Sequence, residues 1–556
     1  MREVHVDAVV TDREGAPVAD LGMDDFKVRV DGKKVRVTGL LNGEELRQTA
    51  AGRLTVIVLL DERHLREAHR EEVLADVEEA LVRELREHPT WVAVAALSDG
   101  LDPVLPPTRD VADLRDAFFE LRSRDPWSTD LVDQQRRVTV ELRDMLRSLA
   151  GGGSAYRIAE NAKNSVLGNL EGYGDALADD TRETLGHVGT LVDGLAFMPG
   201  RKAILFVSDG VPRHPLAVVG KTLYDRLAGG ARQYSGDDLL KGGVGDMVND
   251  RNARPTGSDR MVQRTLVQED DGGAMEFQRV VAELDCGPLF DRVAALANTH
   301  RATFYPLKPP VVDSGLSGLG ERESERGSIT ALSDLRGGLD SLAGATGGLS
   351  FDSQNGVAEF LEQTRTDMAA YYSLSFNSPD DRGSAIREVT LRLRGREREA
   401  RYRTSFLSLR MEQALSSQAW GSLLFGWEDN PHRLLVESRV GDLQGELHGI
   451  DLLFSVPIGA MDLVSDGTLA AGRFRLVMQL VGDEGDRLEP KHLAFDVQVP
   501  AADLEKASQQ YFAVRSELHV RPGRYRMAVG LWEENTGQST FLIEEIEAGI
   551  SSEPEA

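Results

Sequence analysis

Residues 54–62 read LTVIVLLDE and residues 199–210 read PGRKAILFVSDG. Each stretch contains an unbroken apolar run, which is typical of a strand that is covered on both faces of a sheet. An aspartate follows each run closely, Asp61 in the first stretch and Asp209 in the second. Because the carboxyl ends of parallel strands meet at one edge of a sheet, we expect these two carboxylates to lie near each other.

Further strands and helices surround these two runs. The apolar runs WVAVAAL at 91–97 and ATFYPL at 302–307 predict two more buried strands. An apolar stripe predicts an amphipathic helix over 66–88, which Pro89 then ends. Other predicted helices cover residues 111–122, 182–197, 288–299, 331–344 and 355–369. This alternation predicts a doubly wound, mainly parallel α/β sheet over residues 51–370.

Two long insertions interrupt the α/β unit. Residues 123–178 have a largely helical pattern. Residues 213–283 are rich in Gly, Asp and Arg and contain few apolar runs, so part of this segment and the loop 311–330 are predicted to be mobile.

Segments of β pattern lie on both sides of the α/β unit. Residues 1–50 alternate apolar and polar side chains, with a hairpin signal at Asp31-Gly32, and residues 371–408 alternate again. Neither segment is long enough to bury a sheet face alone. We therefore expect the two segments to complete one sandwich, with the α/β domain inserted between them.

The last part of the chain, residues 411–556, has an all-β pattern. Short strands are predicted near 434–440, 448–456, 472–481, 493–499, 512–520 and 524–532. Their spacing favours an immunoglobulin- or fibronectin-like sandwich. This segment contains 24 acidic and 11 basic residues, so it holds about half of the excess negative charge.

Composition excludes several classes of protein. The chain has 556 residues and a formal net charge of −27, which argues against nucleic acid as a ligand. Cys286 is the one cysteine, so no internal disulfide is possible. No run of 18 apolar residues occurs, so no transmembrane segment is predicted. The N-terminus shows no signal peptide, which is expected of a cytoplasmic protein or of one whose leader has been removed.

The order of these features resembles von Willebrand factor A (VWA) domains, and more closely the VWA-related proteins abundant in acidobacteria. The matching pieces are VDAVVTDREGAPVADLGMDDFKVRVDG, LTVIVLLDE, PGRKAILFVSDG, LAGATGGLSF, YYSLSF and REVTLRLR, spread over residues 4–406. The resemblance implies a VWA α/β domain with flanking β-sandwiches. Because members of this family are mostly exported, it also implies a secreted or periplasmic, extracytoplasmic location.

The resemblance further implies a metal-ion-dependent adhesion site for Mg²⁺ or Ca²⁺ at the sheet edge, and Asp61 and Asp209 occupy two of its positions. Its two serine positions hold Arg63 and Leu65, neither of which supplies a ligand oxygen. Candidates for its threonine position are Thr108, Thr129 and Ser154. We therefore predict weak or absent metal binding and no other cofactor. In the alternative, structural interpretation, Asp61 caps the next helix or pairs with Arg63, and Asp209 caps a turn.

Other motifs have simpler interpretations. The glycine-rich stretch 315–320 is read as a loop, because it lacks the strand and helix context of a phosphate site. His64 and His69 could bind a metal but are more simply two exposed histidines. Cys286 is read as a small buried hydrophobe. Six arginines form a basic run that is a solvated face, a protection of an edge strand, or a site for an acidic surface, including the chain's own sandwich. They are Arg392, Arg394, Arg396, Arg398, Arg401 and Arg403.

These features favour a non-catalytic binding or assembly module over an enzyme. Its partner would be a protein, not yet identified, that contacts the sheet edge around Asp61, Arg63 and Asp209. Arg63 could bind a partner's carboxylate, or it could form an internal pair with Asp209. Two alternatives remain open: a hydrolase or enzyme subunit with a site in 213–283, and a structural scaffold of a cell-envelope assembly.

Overall fold

A computed structural model describes residues 3–18, 20–47, 53–125, 140–141, 154–215, 279, 282–309, 337–352, 356–377, 385–395, 398–483 and 485–549. The chain begins with four strands and a short helix. They are β1 (Glu3–Asp12), β2 (Phe26–Val30), β3 (Lys33–Lys34), β4 (Val37–Asn42) and α1 (Gly43–Arg47). Asp31 and Gly32 join β2 to β3 with φ angles of 48° and 74°, which is the hairpin geometry that the sequence predicts.

The central sheet has six strands in the order β10-β9-β8-β5-β6-β7. They are β5 (Leu54–Asp61), β6 (Trp91–Leu97), β7 (Leu101–Thr108), β8 (Arg201–Val207), β9 (Ala302–Lys308) and β10 (Phe351–Asp352). All neighbours run parallel except β6 and β7. The mainly parallel α/β sheet is thus confirmed. The antiparallel strand β7 was not predicted, because its three prolines argue against a strand anywhere but at an edge.

Helices cover both faces of this sheet. They are α2 (Glu67–Glu87), α3 (Val111–Ser123), α4 (Ser154–Gly194), α5 (Gly287–Thr299) and α6 (Gly356–Ala369), with residues 337–346 also helical. One buried cluster joins the sheet to α4 and α5, and a second joins its other face to α2, α3 and α6. The predicted helix 182–197 is the last part of the much longer α4. This helix accounts for the helical pattern seen in the insertion up to residue 178, and residues 126–139 and 142–153 lie outside the described residues.

Four further strands return to the N-terminal segment. They are β11 (Tyr371–Asn377), β12 (Ile386–Leu393), β13 (Arg398–Tyr402) and β14 (Ser405–Leu407). They form two four-stranded sheets with the first strands, in the orders β13-β1-β11-β4 and β14-β12-β2-β3. The two sheets enclose one apolar core. Strands from both sides of the α/β unit therefore pair with each other, as their unpaired faces led us to expect.

The segment after residue 408 begins with a helix, so the prediction of an all-β pattern from residue 411 is wrong there. The helix α7 (Met411–Phe425) packs against α4 on one side and against the C-terminal strands on the other. A helix buried on several sides lacks the single apolar stripe by which helices are recognised. The contact is close, because a Cβ added at Gly421 would lie 1.9 Å from the carbonyl oxygen of Gly194.

The remaining residues form the predicted β-rich region. Its elements are β15 (Leu435–Gln444), β16 (Leu447–Pro457), β17 (Val464–Ser465), β18 (Leu469–Gly482), β19 (Lys491–Pro500), α8 (Leu504–Ala507), β20 (Tyr511–Val520), β21 (Gly523–Glu533) and β22 (Ser539–Ala548). A three-stranded sheet, β15-β16-β20, and a five-stranded sheet built on β18 and β21 share one apolar core. No described helix has the length and apolar character that a membrane span needs.

Candidate functional site

The two aspartates singled out by the sequence stand at the same edge of the central sheet. Asp61 is the last residue of β5, and Asp209 follows β8 by two residues. The strands β5 and β8 are hydrogen-bonded neighbours up to the pair Leu60 and Val207. Asp61 is fully buried and Asp209 is 9% exposed, so neither carboxylate lies open on the surface.

The carboxylate of Asp61 is held by groups from both neighbouring loops. Its Oδ2 accepts a hydrogen bond from the Ser208 hydroxyl at 2.7 Å and lies 2.8 Å from Nδ1 of His64. Its Oδ1 accepts a hydrogen bond from the backbone N–H of His64 at 3.3 Å. Asp61 therefore fixes the turn that leads from β5 to α2. The structural interpretation expected Asp61 to cap α2 or to pair with Arg63, and neither occurs, because the N-cap residue of α2 is Arg66 and the N–H bonded to Asp61 belongs to the preceding turn.

His64 lies between two carboxylates. Its Nδ1 faces Asp61, and its Nε2 is 2.6 Å from Oδ2 of Asp180 on α4. Burial of the imidazole opposes protonation, but the charge of Asp61 and the hydrogen bonds to both carboxylates outweigh it and raise the pKa of His64 to about 10. The ring is therefore an imidazolium at neutral pH and a cation placed between two anions. The expectation that His64 is simply exposed is wrong.

Arg63 is bonded to α4 and not to Asp209, so the internal pair considered from the sequence is absent. Its guanidinium donates to Asp180 Oδ1 at 2.8 Å, to Glu183 Oε2 at 2.7 Å and to the carbonyl of Ser98 at 3.0 Å. The side chain is 7% exposed. Burial raises the pKa of Asp180, but its hydrogen bonds and charge interactions with His64 and Arg63 outweigh this and lower it overall. Arg63, His64 and Asp180 thus form one buried charge network.

Asp209 acts on the start of α2. Its Oδ2 accepts a hydrogen bond at 2.8 Å from the backbone N–H of Arg66, the N-cap residue, and both carboxylate oxygens lie 3.2 Å from Nδ1 of His69. His69 is 3% exposed, so it too is not the exposed histidine that we expected. Asp209 therefore joins the loop after β8 to the first turn of α2.

These donors do not fit the metal site that the VWA resemblance implies. The imidazolium of His64 is within hydrogen-bond distance of Asp61, and the Ser208 hydroxyl donates to the same carboxylate. Leu65 is buried and apolar. Among the described residues, no group of three or more His, Cys, Asp or Glu side chains is arranged to hold an ion.

Of the threonine candidates, Thr108 lies at the end of the edge strand β7, where its hydroxyl donates to Asp113 at 2.9 Å. Ser154 begins α4, and Thr129 lies outside the described residues. Cys286 is buried, as expected. The glycine-rich stretch 315–320 and most of the insertion 213–283 lie outside the described residues.

Three arginines of the basic run have carboxylates nearby, and Arg396 lies outside the described residues. Arg401 pairs with Asp367, Arg403 pairs with Asp7, and Arg398 lies 3.6 Å from Asp25. Asp7 also accepts from Arg301 at 3.2 Å, so this buried cluster links β1 to the loop before β9. Burial raises the pKa of Asp7, but the charges of Arg301 and Arg403 outweigh it and hold the pKa far below its usual value.

The sequence did not indicate Asp180 and Glu183 as members of the site. They are 117 and 120 residues from Arg63, and no local motif marks them. The one available signal is that they lie three apart in a helical pattern, on one face of α4.

A group of exposed charged residues, which we call the rim, adjoins the buried network through Glu183, which is bonded to Arg63. It consists of Asp179, Arg182 and Glu183 on α4 and of His214 and Asp285 in the chain that follows β8. Asp179 pairs with Arg182 at 2.6 Å, and His214 Nδ1 lies 2.8 Å from Asp285. All five side chains are more than 40% exposed. They are the accessible polar groups beside the buried carboxylates.

No protein-family model and no curated protein matches this chain. Solved structures with partial similarity include a putative β-galactosidase from Bacteroides fragilis, with 12% identity over 21% of this chain and 16% of that chain and a TM-score of 0.15. A glycosyl hydrolase family 2 member from Bacteroides cellulosilyticus shows 10% identity over 32% and 20%, with a TM-score of 0.16. A protein from Archaeoglobus fulgidus shows 11% identity over 20% of this chain and 92% of that chain, with a TM-score of 0.13. The chain spans about a fifth or less of the two glycosidases, and similarity this partial identifies neither a family nor an activity.

Proposed function

We propose that this protein is a non-catalytic, extracytoplasmic interaction or assembly module built on a VWA-like domain. The observation that carries the proposal is the central sheet. Its order β10-β9-β8-β5-β6-β7, with an antiparallel edge strand, places Asp61 and Asp209 at adjacent carboxyl ends. In doubly wound sheets, ligands bind at this edge. The extracytoplasmic location rests on the family resemblance alone.

In this proposal, protein cations replace the metal of the usual VWA site. The imidazolium of His64 neutralises Asp61, and Arg63 and His64 together neutralise Asp180. The network keeps the edge rigid without an ion. Binding to a partner is therefore independent of divalent cations.

The partner contact is assigned to the rim, because the central residues are buried and already bonded. The rim presents exposed carboxylates, a guanidinium and an imidazole, which suit a polar protein surface with mixed charge. We first considered Asp61, Arg63 and Asp209 as contact residues. In this proposal they are buried beside the contact surface, and Arg63 bonds directly to Glu183 of the rim.

Capture of partners from an envelope extract tests this proposal. Wild-type protein is immobilised beside a triple variant of the rim, Asp179→Ala, Arg182→Ala and His214→Ala. We expect the wild type to capture the same proteins with and without EDTA, and the rim variant to lose them. The matched control alters three exposed residues of α2, Glu79→Ala, Arg83→Ala and Arg86→Ala, and should capture normally.

Two outcomes would contradict the proposal. Capture that EDTA abolishes, and that Asp61→Asn also abolishes, would show that a metal at the sheet edge does the binding. Capture that survives the rim substitutions but fails in the α2 control would move the contact to the opposite face of the sheet.

A further inference from the structure

A second charged surface lies far from the rim in the fold, on the N-terminal sandwich. Five exposed cations share the outer face of the sheet β14-β12-β2-β3. They are Lys27, Arg29, Lys34, Arg36 and Arg392, and we call them the basic face. None of the five forms an ion pair or a side-chain hydrogen bond with a described residue. This is unusual in a chain with a formal net charge of −27.

The strand register places these like charges side by side. Arg29 lies opposite Lys34, and Lys27 lies opposite Arg392. Val35 packs on the core, so Lys34 and Arg36 on either side of it face outward. Like charges directly opposite on neighbouring strands are destabilising. Glu388 is an exposed carboxylate on the same side of β12, but it is outnumbered by the five cations, so the basic face carries an excess of positive charge.

Protection of a sheet edge does not account for this arrangement. Lysines on edge strands often prevent unwanted strand pairing, and Lys34 on β3 fits that role. Lys27 and Arg29, however, lie on β2, and Arg392 lies on β12, and both strands are interior in this sheet. An anionic binding partner accounts for all five positions.

The complementary chemistry is present in the same chain. Residues 411–556 carry 24 acidic and 11 basic residues. The hairpin between β15 and β16 exposes Asp442 and Glu446, and neither carboxylate pairs with a described residue. Between and beside them, Leu443 is 52% exposed and Leu447 is 37% exposed. We call these four residues the acidic tip.

The basic face also offers an apolar contact. Ile386 is 41% exposed and lies on the outward side of β12, in alternation with Glu388, Thr390 and Arg392. The leucines of the tip thus have one exposed apolar side chain on the face to contact, while its carboxylates have the cations of β2 and β12. We propose that the acidic tip of one copy of this protein binds the basic face of a second copy, head to tail.

The contact would be weak and open-ended. A hairpin tip buries less surface than a stable interface needs, so the association is weak. Because the two surfaces differ, each bound copy leaves one face and one tip free, so association continues into chains or rings. At about 0.15 M salt the Debye length is about 8 Å, so the repulsion between two acidic copies is screened while close contacts persist.

Sedimentation velocity over about 10 µM to 1 mM protein at about 0.15 M salt tests the inference. The wild-type sedimentation coefficient should rise with concentration. A face variant, Lys27→Glu with Arg29→Glu, and a tip variant, Asp442→Lys with Glu446→Lys, should each remain monomeric. An equimolar mixture of the two should associate, because the native tip of the face variant meets the native face of the tip variant. A control with Arg86→Glu and Arg115→Glu, exposed cations on α2 and α3, should associate like the wild type.

Other results would overturn the proposed self-association. A wild type that stays monomeric to the highest concentration, or a mixture that does not associate although both variants keep the wild-type circular dichroism spectrum, refutes the self-contact. A monomeric wild type that binds heparin through Lys27 and Arg29 assigns the face to a soluble polyanion instead. The inference is independent of the rim, because the rim variant should self-associate normally.

Discussion

Replacing His64 by glutamine tests the buried charge network at its centre. Glutamine keeps a polar side chain of similar reach but cannot carry the positive charge. The carboxylates of Asp61 and Asp180 then lose the cation between them, although Arg63 still contacts Asp180. The variant should therefore be less stable than the wild type at neutral pH.

The size and pH dependence of the loss follow from the raised pKa. His64 has a pKa of about 10 in the folded protein, against 6.5 for the ordinary side chain. At about 1.4 kcal/mol per pH unit, the bound proton contributes on the order of 4 kcal/mol near pH 6.5 and about 1.4 kcal/mol at pH 9. The contribution is complete below the unfolded pKa and is lost as the pH rises through the folded pKa.

Calorimetric melting of both proteins between pH 6.5 and pH 9 measures this difference. The α/β transition of His64→Gln should be lower by about 10 °C at pH 6.5, and the gap should narrow steadily toward pH 9. His214→Gln is the matched control, because His214 is half exposed and its pair with Asp285 contributes little. A gap of the same size at every pH would refute the protonated state of His64 and the reasoning based on it.

Three other outcomes are expected. Asp180→Asn should lower the free energy of unfolding in urea by about 3 kcal/mol, because it removes the charge of a buried carboxylate that contacts two cations. Glu183→Gln should lower it by less than about 0.5 kcal/mol, because the Glu183 carboxylate is half exposed. Equal effects of the two substitutions would contradict this. Gly421→Ala should destabilise the protein by about 2 kcal/mol, because the added Cβ would clash with the carbonyl oxygen of Gly194. Gly172→Ala in α4 should stabilise it by about 0.5 kcal/mol, because no atom lies within 4 Å of the added Cβ. Thermal melting of the two variants should show shifts of opposite sign. Millimolar Mg²⁺ should leave the melting temperature unchanged, and an increase that disappears in Asp61→Ala would show that a metal binds.

The sequence predicted those parts of the fold that local patterns encode. Continuous apolar runs identified β5, β6, β8 and β9, because a strand buried on both faces has no polar positions. Short amphipathic strands on both sides of the α/β unit in the sequence identified the sandwich into which this unit is inserted. The edge strand β7 was missed because its prolines are unusual in a strand. The helix α7 was missed because burial on several sides removes the single apolar stripe of an amphipathic helix.

The site was predicted only in part for a similar reason. Asp61 and Asp209 could be placed at one edge, because strand topology determines where strand ends meet. The partners of Arg63 could not be found, since Asp180 and Glu183 reach it through the packing of α4, and packing at a separation of more than a hundred residues leaves no pattern in the sequence. The charge state of His64 depends on those same partners.

The most direct test of a metal-independent sheet edge is a nuclear magnetic resonance titration of His64 in protein with isotope-labelled histidine. The resonances are assigned with His64→Gln and followed from neutral to alkaline pH, with and without millimolar Mg²⁺. The imidazole should stay protonated to about pH 9, and Mg²⁺ should not move its signals. A His64 that loses its proton near pH 6.5, or one that Mg²⁺ displaces from Asp61, would contradict the account.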